Sequence, residues 1–292
     1  MQQLTSLLSA LVLAVLLTGC LPDPLDIELE QAPVKLVISS QVVPDRAMFV
    51  TVSKSFGALQ FSEEEEDSLS SDEIDQLLVR NALVTVSYNG ITDTLIALPD
   101  DAPGVYLSLN TPQFLNTTYT LNVYDPETDQ SVSSQAEMLA QVTLDTAYAS
   151  RSTTGSGGLF EVDVTTVNYR FNDPPNEDNW YMVNFYANNT DSSSAFNNDN
   201  VPTVTEVLAD ATFENSSYAG EVEIFDWPQD TIFVAISNIS EEYYDYLNVR
   251  QRTGNVLSQV LSEPIEHPSN VIGGYGYFLT HFPDVEVVAV NE

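Results

Sequence analysis

Few side chains in this 292-residue chain could do covalent or metal chemistry. There is one cysteine, Cys20, and there are two histidines, His267 and His281. A Ser–His–acid set would have to draw on one of those histidines, and no GxSxG elbow or other nucleophile signature accompanies either. His267, between Glu266 and Pro268, reads as a turn residue, and His281, in YGYFLTHF, as a residue packed in a strand. HExxH is absent, and two histidines fourteen positions apart make a weak transition-metal site. With 43 acidic residues, carboxylate pairs suited to glycoside hydrolysis arise by chance, so no single pair is informative. Hard oxygen ligands on loops are what calcium needs. Asn172, Asp173, Glu177 and Asp178 cluster in one turn, and Asn197, Asn198 and Asp199 in another. Asp173, Glu177 and Asp178 are therefore the candidate calcium ligands, although no DxDxDG loop is present and Asp-Pro and Asn are ordinary turn formers. No other cofactor is expected. Trp180, Tyr181 and Trp227 stand beside polar loops and are candidate ligand-binding rings, provided they are exposed enough to stack on a sugar.

Cys20 is the most specific signal. LTSLLSALVLAVLL, residues 4–17, is an apolar run of 14 residues, and Thr18, Gly19 and Cys20 follow it. As a helix the run spans about 21 Å, short of a bilayer core of about 30 Å. That length suits the h-region of a signal peptide, here residues 1–19. Leu17-Thr18-Gly19-Cys20 resembles the bacterial lipobox. The resemblance implies a diacylglycerol on the Cys20 thiol, cleavage between Gly19 and Cys20, and acylation, as with palmitate, of the new amine. The n-region, Met1-Gln2-Gln3, departs from the pattern by lacking Lys and Arg. Several acyl chains at one end anchor a protein stably where a single chain does not. With Cys20 acylated, no cysteine nucleophile remains and no intrachain disulfide can form.

Composition narrows the remaining classes. The mature chain of 292 − 19 = 273 residues is 43% hydrophobic over the whole sequence, enough for a real core. No later segment has the length and apolarity of a membrane span. Lys and Arg total 8 against 43 Asp and Glu, a formal charge of −35. No basic face can be built from so few cations, so nucleic acid is excluded as a partner. An acidic surface suits salty surroundings, where screening removes self-repulsion. Cation binding and recognition of a basic partner are the other readings of the same charge.

The elements that must position these groups read as β. Residues 20–33 form a lipidated tether with two early prolines and four acids, either a solvated spacer or an acidic export tag of a surface-facing lipoprotein. From Val34, KLVISSQVV and AMFVTVSKS are short β-branched runs. In ALVTVSYNGITDTLIAL, Val84, Val86 and Tyr88 alternate with Leu83, Thr85 and Ser87, and Asn89-Gly90 supplies a type I′ turn. Glu63–Asp67 form an acidic loop, with Ser70 and Glu73 as a capping box for a short helix through Ile74, Leu77 and Leu78. Residues 150–158 are a glycine-rich linker, and strongly alternating runs follow. One helix stands out: Ser240 as N-cap, Glu241 and Glu242 in its first turn, Arg250 and Arg252 in its last, and Gly254 as its stop. Tyr243, Tyr246, Leu247 and Val249 form its buried stripe, with an aromatic ligand platform as the alternative reading. The glycines in SNVIGGYGYF allow sharp turns or close backbone approach and do not form a phosphate cradle.

The lipobox, KLVISSQVV, VRNALVTVSY, YRFNDPPNEDNWYMVNFY, ISEEYYDYL and SEPIEHPSNVIGGYGYF together resemble the outer-membrane lipoprotein family called domain of unknown function 4249, over about residues 20–283. The first half is also similar to carboxypeptidase-regulatory-like sandwiches. The acidic insertion at Glu63–Asp67 is a departure. Family members are often encoded beside TonB-dependent outer-membrane receptors, and no catalytic residues carry over. The expectation is an all-β chain: an N-terminal Ig-like or carboxypeptidase-regulatory-like β-sandwich at 34–149, the linker at 150–158, and a second β-rich sandwich or barrel-like domain with one short helix at 159–292. The resemblance implies lipid anchoring at the outer membrane, facing the periplasm or the cell surface. It also implies a non-catalytic binding or accessory role beside a TonB-dependent nutrient receptor. A cell-surface adhesin or glycan-binding module is the alternative, and a carboxylate-based hydrolase the weakest reading.

Overall fold

A computed structural model describes residues 33–43, 47–55, 75–99, 102–108, 114–154, 162–175, 177–187, 202–213, 216–253 and 268–291. The signal peptide, Cys20, the tether up to residue 32, Glu63–Asp67, the capping box, residues 155–158 of the linker, Asn197–Asp199, Gly254 and His267 lie outside the described residues. The chain is all-β with one substantial helix.

Strong alternation produces the first layer pair. β1 (Leu36–Val43), β2 (Ala47–Lys54), β5 (Ile96–Ala97) and β6 (Val105–Ser108) lie in one sheet. β3 (Leu83–Tyr88), β4 (Ile91–Thr94), β7 (Thr117–Asp125) and β8 (Gln130–Met138) lie in another. β3, β6 and β7 turn every second side chain inward, as a period of two requires. Ile38, Val50, Val52 and Tyr106 from one sheet meet Val84, Val86, Tyr119, Leu121 and Val123 from the other in one buried cluster. The β3–β4 turn carries Asn89 at φ 47° and Gly90 at φ 77°, the left-handed pair that a type I′ hairpin needs.

The second part is a single sheet of seven strands in the order β12-β11-β14-β17-β9-β10-β13. These are β9 (Leu144–Thr154), β10 (Val162–Asn172), β11 (Trp180–Ala187), β12 (Val204–Ala209), β13 (Ser217–Phe225), β14 (Thr231–Ile239) and β17 (Asp284–Asn291). Side chains from all seven enter one cluster, so the sheet curls into a nearly closed barrel. Tyr169 on β10 reaches across its interior: its hydroxyl donates to Glu206 Oε2 on β12 at 2.6 Å. Burial, with Glu206 as second cause, raises the Tyr169 phenol, and burial raises the Glu206 carboxyl against the opposing effect of that hydrogen bond. Gly220 on β13 lies opposite Tyr169, where an added Cβ would meet the ring at 2.2 Å.

The pairing differs from the linear division drawn at residues 150–158. β9, split by the sequence division between the N-terminal part (to 149) and the linker, is a barrel strand paired with β10 along nearly its whole length. A late hairpin, β15 (Val271–Ile272) and β16 (Tyr275–Tyr277), returns to the sandwich. β15 pairs with β8 and β16 runs parallel to β1, so each sandwich sheet has five strands. Local pattern names a strand, but its partner is chosen by which open edge it reaches. Gly276 makes the approach to β1 feasible: it sits at φ 95°, and a Cβ there would lie 1.9 Å from the Ile38 carbonyl oxygen.

The helix α1 (Glu241–Thr253) starts where the sequence places it. Ser240 Oγ accepts from the Tyr243 N–H at 3.3 Å, and the Ser240 carbonyl accepts from Tyr244 N–H at 3.0 Å. Tyr243 and Leu247 are buried with Met182, Ile239, Tyr277 and Leu279, outside the barrel proper.

Candidate functional site

The chain from β16 to β17 connects the sandwich to the barrel and lines a cavity. Asn270 and Phe278 bracket the late hairpin: Asn270 Nδ2 donates to Phe278 O at 2.7 Å and Asn270 Oδ1 accepts from Phe278 N at 2.9 Å. One residue on, the Leu279 N–H donates to Ser40 Oγ on β1 at 2.8 Å. These bonds fix Phe278 and Leu279 between the two parts. Beside them opens a cleft of about 330 Å³.

Three separate stretches line the cleft besides Asn270. β8 supplies Gln135 and Glu137, the β14–α1 junction supplies Ser240, Glu242 and Tyr243, and the connection supplies Tyr277 to Thr280. Three tyrosines group together there, with Tyr277 ring centroids 5.0 Å from both Tyr243 and Tyr246. Burial raises the Tyr243 phenol first, Tyr246 and Tyr277 add to it, and Arg250 opposes. Tyr277 is likewise raised by burial, and then by Glu242 and Asp245, against a hydrogen bond with Ser240. Glu137 and Glu242 are exposed, while Thr280 is only 6% exposed. The Thr280 hydroxyl is buried without a hydrogen-bond partner among the described residues. No described lining residue is Lys, Arg or His.

The residues singled out by sequence do not assemble into this cleft. Asp173 is buried and its Oδ1 accepts from the Tyr181 hydroxyl at 2.5 Å, while Glu177 and Asp178 are exposed. Among the described residues, no group of three acidic, histidine or cysteine side chains is placed to hold a metal ion. The turn is instead locked by its own bonds: the Asn179 N–H donates to Asp210 Oδ2 at 2.8 Å and the Asp210 N–H to Asn179 O at 3.0 Å. The three candidate ligand-binding rings differ in burial. Tyr181 belongs to the barrel core, Trp227 is 4% exposed, and Trp180 is half-buried against the α1 cluster. These three rings form no exposed stacking platform, because alternation turns Tyr181 inward and the neighbouring Trp180 outward under the helix.

His281 lies between β16 and β17 rather than within a strand, and its Nδ1 is 2.7 Å from Ser237 Oγ. This Ser–His contact is sealed, with Ser237 1% and His281 5% exposed. Burial lowers the imidazole to about 4.

Sequence reasoning passed over Glu137 and Thr280, saw Glu242 as a helix feature, and read Tyr243 as core packing with an aromatic ligand platform as the alternative. The available signal was the polar Thr280 inside an aromatic run.

A family model described as "Domain of unknown function (DUF4249)" matches residues 22–282. A search of curated proteins gave no match.

Proposed function

Given that this chain belongs to the DUF4249 family, we propose that it is a lipid-anchored outer-membrane lipoprotein. In this reading it serves without catalysis as a ligand-binding accessory of a TonB-dependent nutrient receptor. The observation that carries the reading is Leu17-Thr18-Gly19-Cys20 closing a 14-residue apolar run on the chain's one thiol. The first strand begins at Leu36, sixteen residues beyond Cys20. Sixteen extended residues reach at most about 55 Å, enough to let a folded body stand off a bilayer surface and meet a neighbouring receptor. The cleft between sandwich and barrel supports the binding role. Its volume falls at the lower end of the range that ligand sites occupy, about 300–1,000 Å³. The sealed Ser237–His281 contact supports a role without chemistry, since a nucleophile must be reached by its substrate.

Two measurements on protein from native membranes test the reading. Mass spectrometry of the N-terminal peptide should find Cys20 as the first residue, carrying acyl chains; an intact leader or an unmodified thiol defeats the anchor. Mild detergent extraction followed by affinity isolation should bring down an outer-membrane receptor. Isolation of the lipoprotein alone, under conditions that preserve known receptor complexes, defeats the accessory role.

A further inference from the structure

We infer that the cleft between β8, the start of α1 and the β16–β17 connection binds a small organic cation, with its ammonium group toward Glu137 and Glu242. The inference rests on the binding half of the reading above and not on the lipid anchor. Four observations converge on it. The cavity, about 330 Å³, has room for a small molecule and excludes a folded partner. Its two charged lining side chains, Glu137 and Glu242, are both negative, and no described lining residue offsets them. Tyr243 and Tyr277 supply an aromatic wall, the surface on which an alkyl- or arylammonium ion gains both apolar contact and cation–π attraction. Thr280, deep in the lining, carries a buried hydroxyl without a partner among the described residues. Such a group costs free energy when left unsatisfied, and rotation about χ1 of this wall residue would turn the hydroxyl toward a polar atom in the cleft.

Alternative ligand chemistries fit less well. An anion would face two carboxylates, and its approach would oppose the formal charge of −35. A bare metal ion would want several convergent charged ligands, and among the described residues no group of three acidic, histidine or cysteine side chains is placed to hold one. An organic cation uses the carboxylates and the rings together.

The test is calorimetric titration of the mature lipidated protein in detergent at near-physiological salt, where general attraction to an acidic surface is screened. The probes are phenethylamine, choline and putrescine, with 2-phenylethanol as the neutral counterpart of the first. At least one cation should bind saturably at a single site, and 2-phenylethanol should bind about tenfold or more weakly than phenethylamine if that is the cation bound. Glu137→Gln with Glu242→Gln should weaken binding by about tenfold. Glu241→Gln, which removes charge from α1 outside the lining, should change it less than about threefold. Thr280→Val, close in shape and without the hydroxyl, should weaken it while the protein stays folded. Absence of saturable binding by all three cations overturns the inference, as does equal weakening by Glu241→Gln and the cleft pair. Either result leaves receptor co-isolation untouched, so the two readings fail separately.

Discussion

Asn270 grips Phe278 by both of its backbone groups, donating to its carbonyl at 2.7 Å and accepting from its N–H at 2.9 Å. The eight-residue separation between them contains the hairpin that completes both sandwich sheets. The same side chain also donates to Gln135 O on β8 at 3.2 Å. One amide therefore ties the late hairpin closed and fastens it to the sheet it joins.

Asn270→Ala should remove all three bonds and leave the backbone groups of fully buried Phe278 short of partners. A loss of about 2–4 kcal/mol in unfolding free energy is expected from urea titration. Hydrogen exchange should rise first across 271–277. Unchanged protection there would mean that the hairpin is held by its strands alone.

Gly220→Ala should clash with the Tyr169 ring, since the new Cβ would lie 2.2 Å from it. The cost should be about 1–3 kcal/mol, as for other overpacked sites. Pairing it with Tyr169→Val should recover part of that loss, because the two sites share one volume. Strict additivity in the double-mutant cycle would contradict the contact.

His281 predicts acid sensitivity. Its folded value of about 4 lies below the ordinary 6.5, so the unfolded chain binds the proton more readily. The contribution is fully present above about pH 6.5 and is lost as pH falls toward 4, a change of order 3 kcal/mol. Glu206 acts in the opposite direction, since burial raises its carboxyl and favours the folded state as it protonates. Comparing wild type with His281→Asn between pH 4 and 7.5 isolates the imidazole. Parallel stability curves for the two proteins would refute its role.

Thr280→Val should leave stability unchanged or raise it by about 1 kcal/mol, because it removes a buried hydroxyl lacking a partner. Thermal unfolding without added ligand measures this. A clear drop would indicate that the hydroxyl is bonded in the folded protein.

Much of the local structure was legible. Val84, Val86 and Tyr88 are buried as alternation requires, Asn89 and Gly90 take the left-handed conformations of their turn, and Ser240 caps α1. Each depends on residues within a few positions of one another. The calcium turn and the aromatic trio show what a local pattern leaves open. A side chain's chemistry is visible in sequence, but its exposure is not, and Asp173 and Tyr181 satisfy each other inside the protein.

The sequence alone determined the β character, the hairpin at Asn89-Gly90, the helix start and the lipobox motif at Cys20, because periodicity, turn chemistry and a contiguous motif act over short spans. Tertiary structure decided that β9 joins the barrel, that β15 and β16 close the sandwich, and that Glu137, Glu242, Tyr277 and Thr280 share one cleft. Strand edges accept any partner whose register and facing side chains fit, and that choice is made by burial across more than a hundred residues, as when Ser134 Oγ donates to Asn270 O at 2.8 Å across a separation of 136.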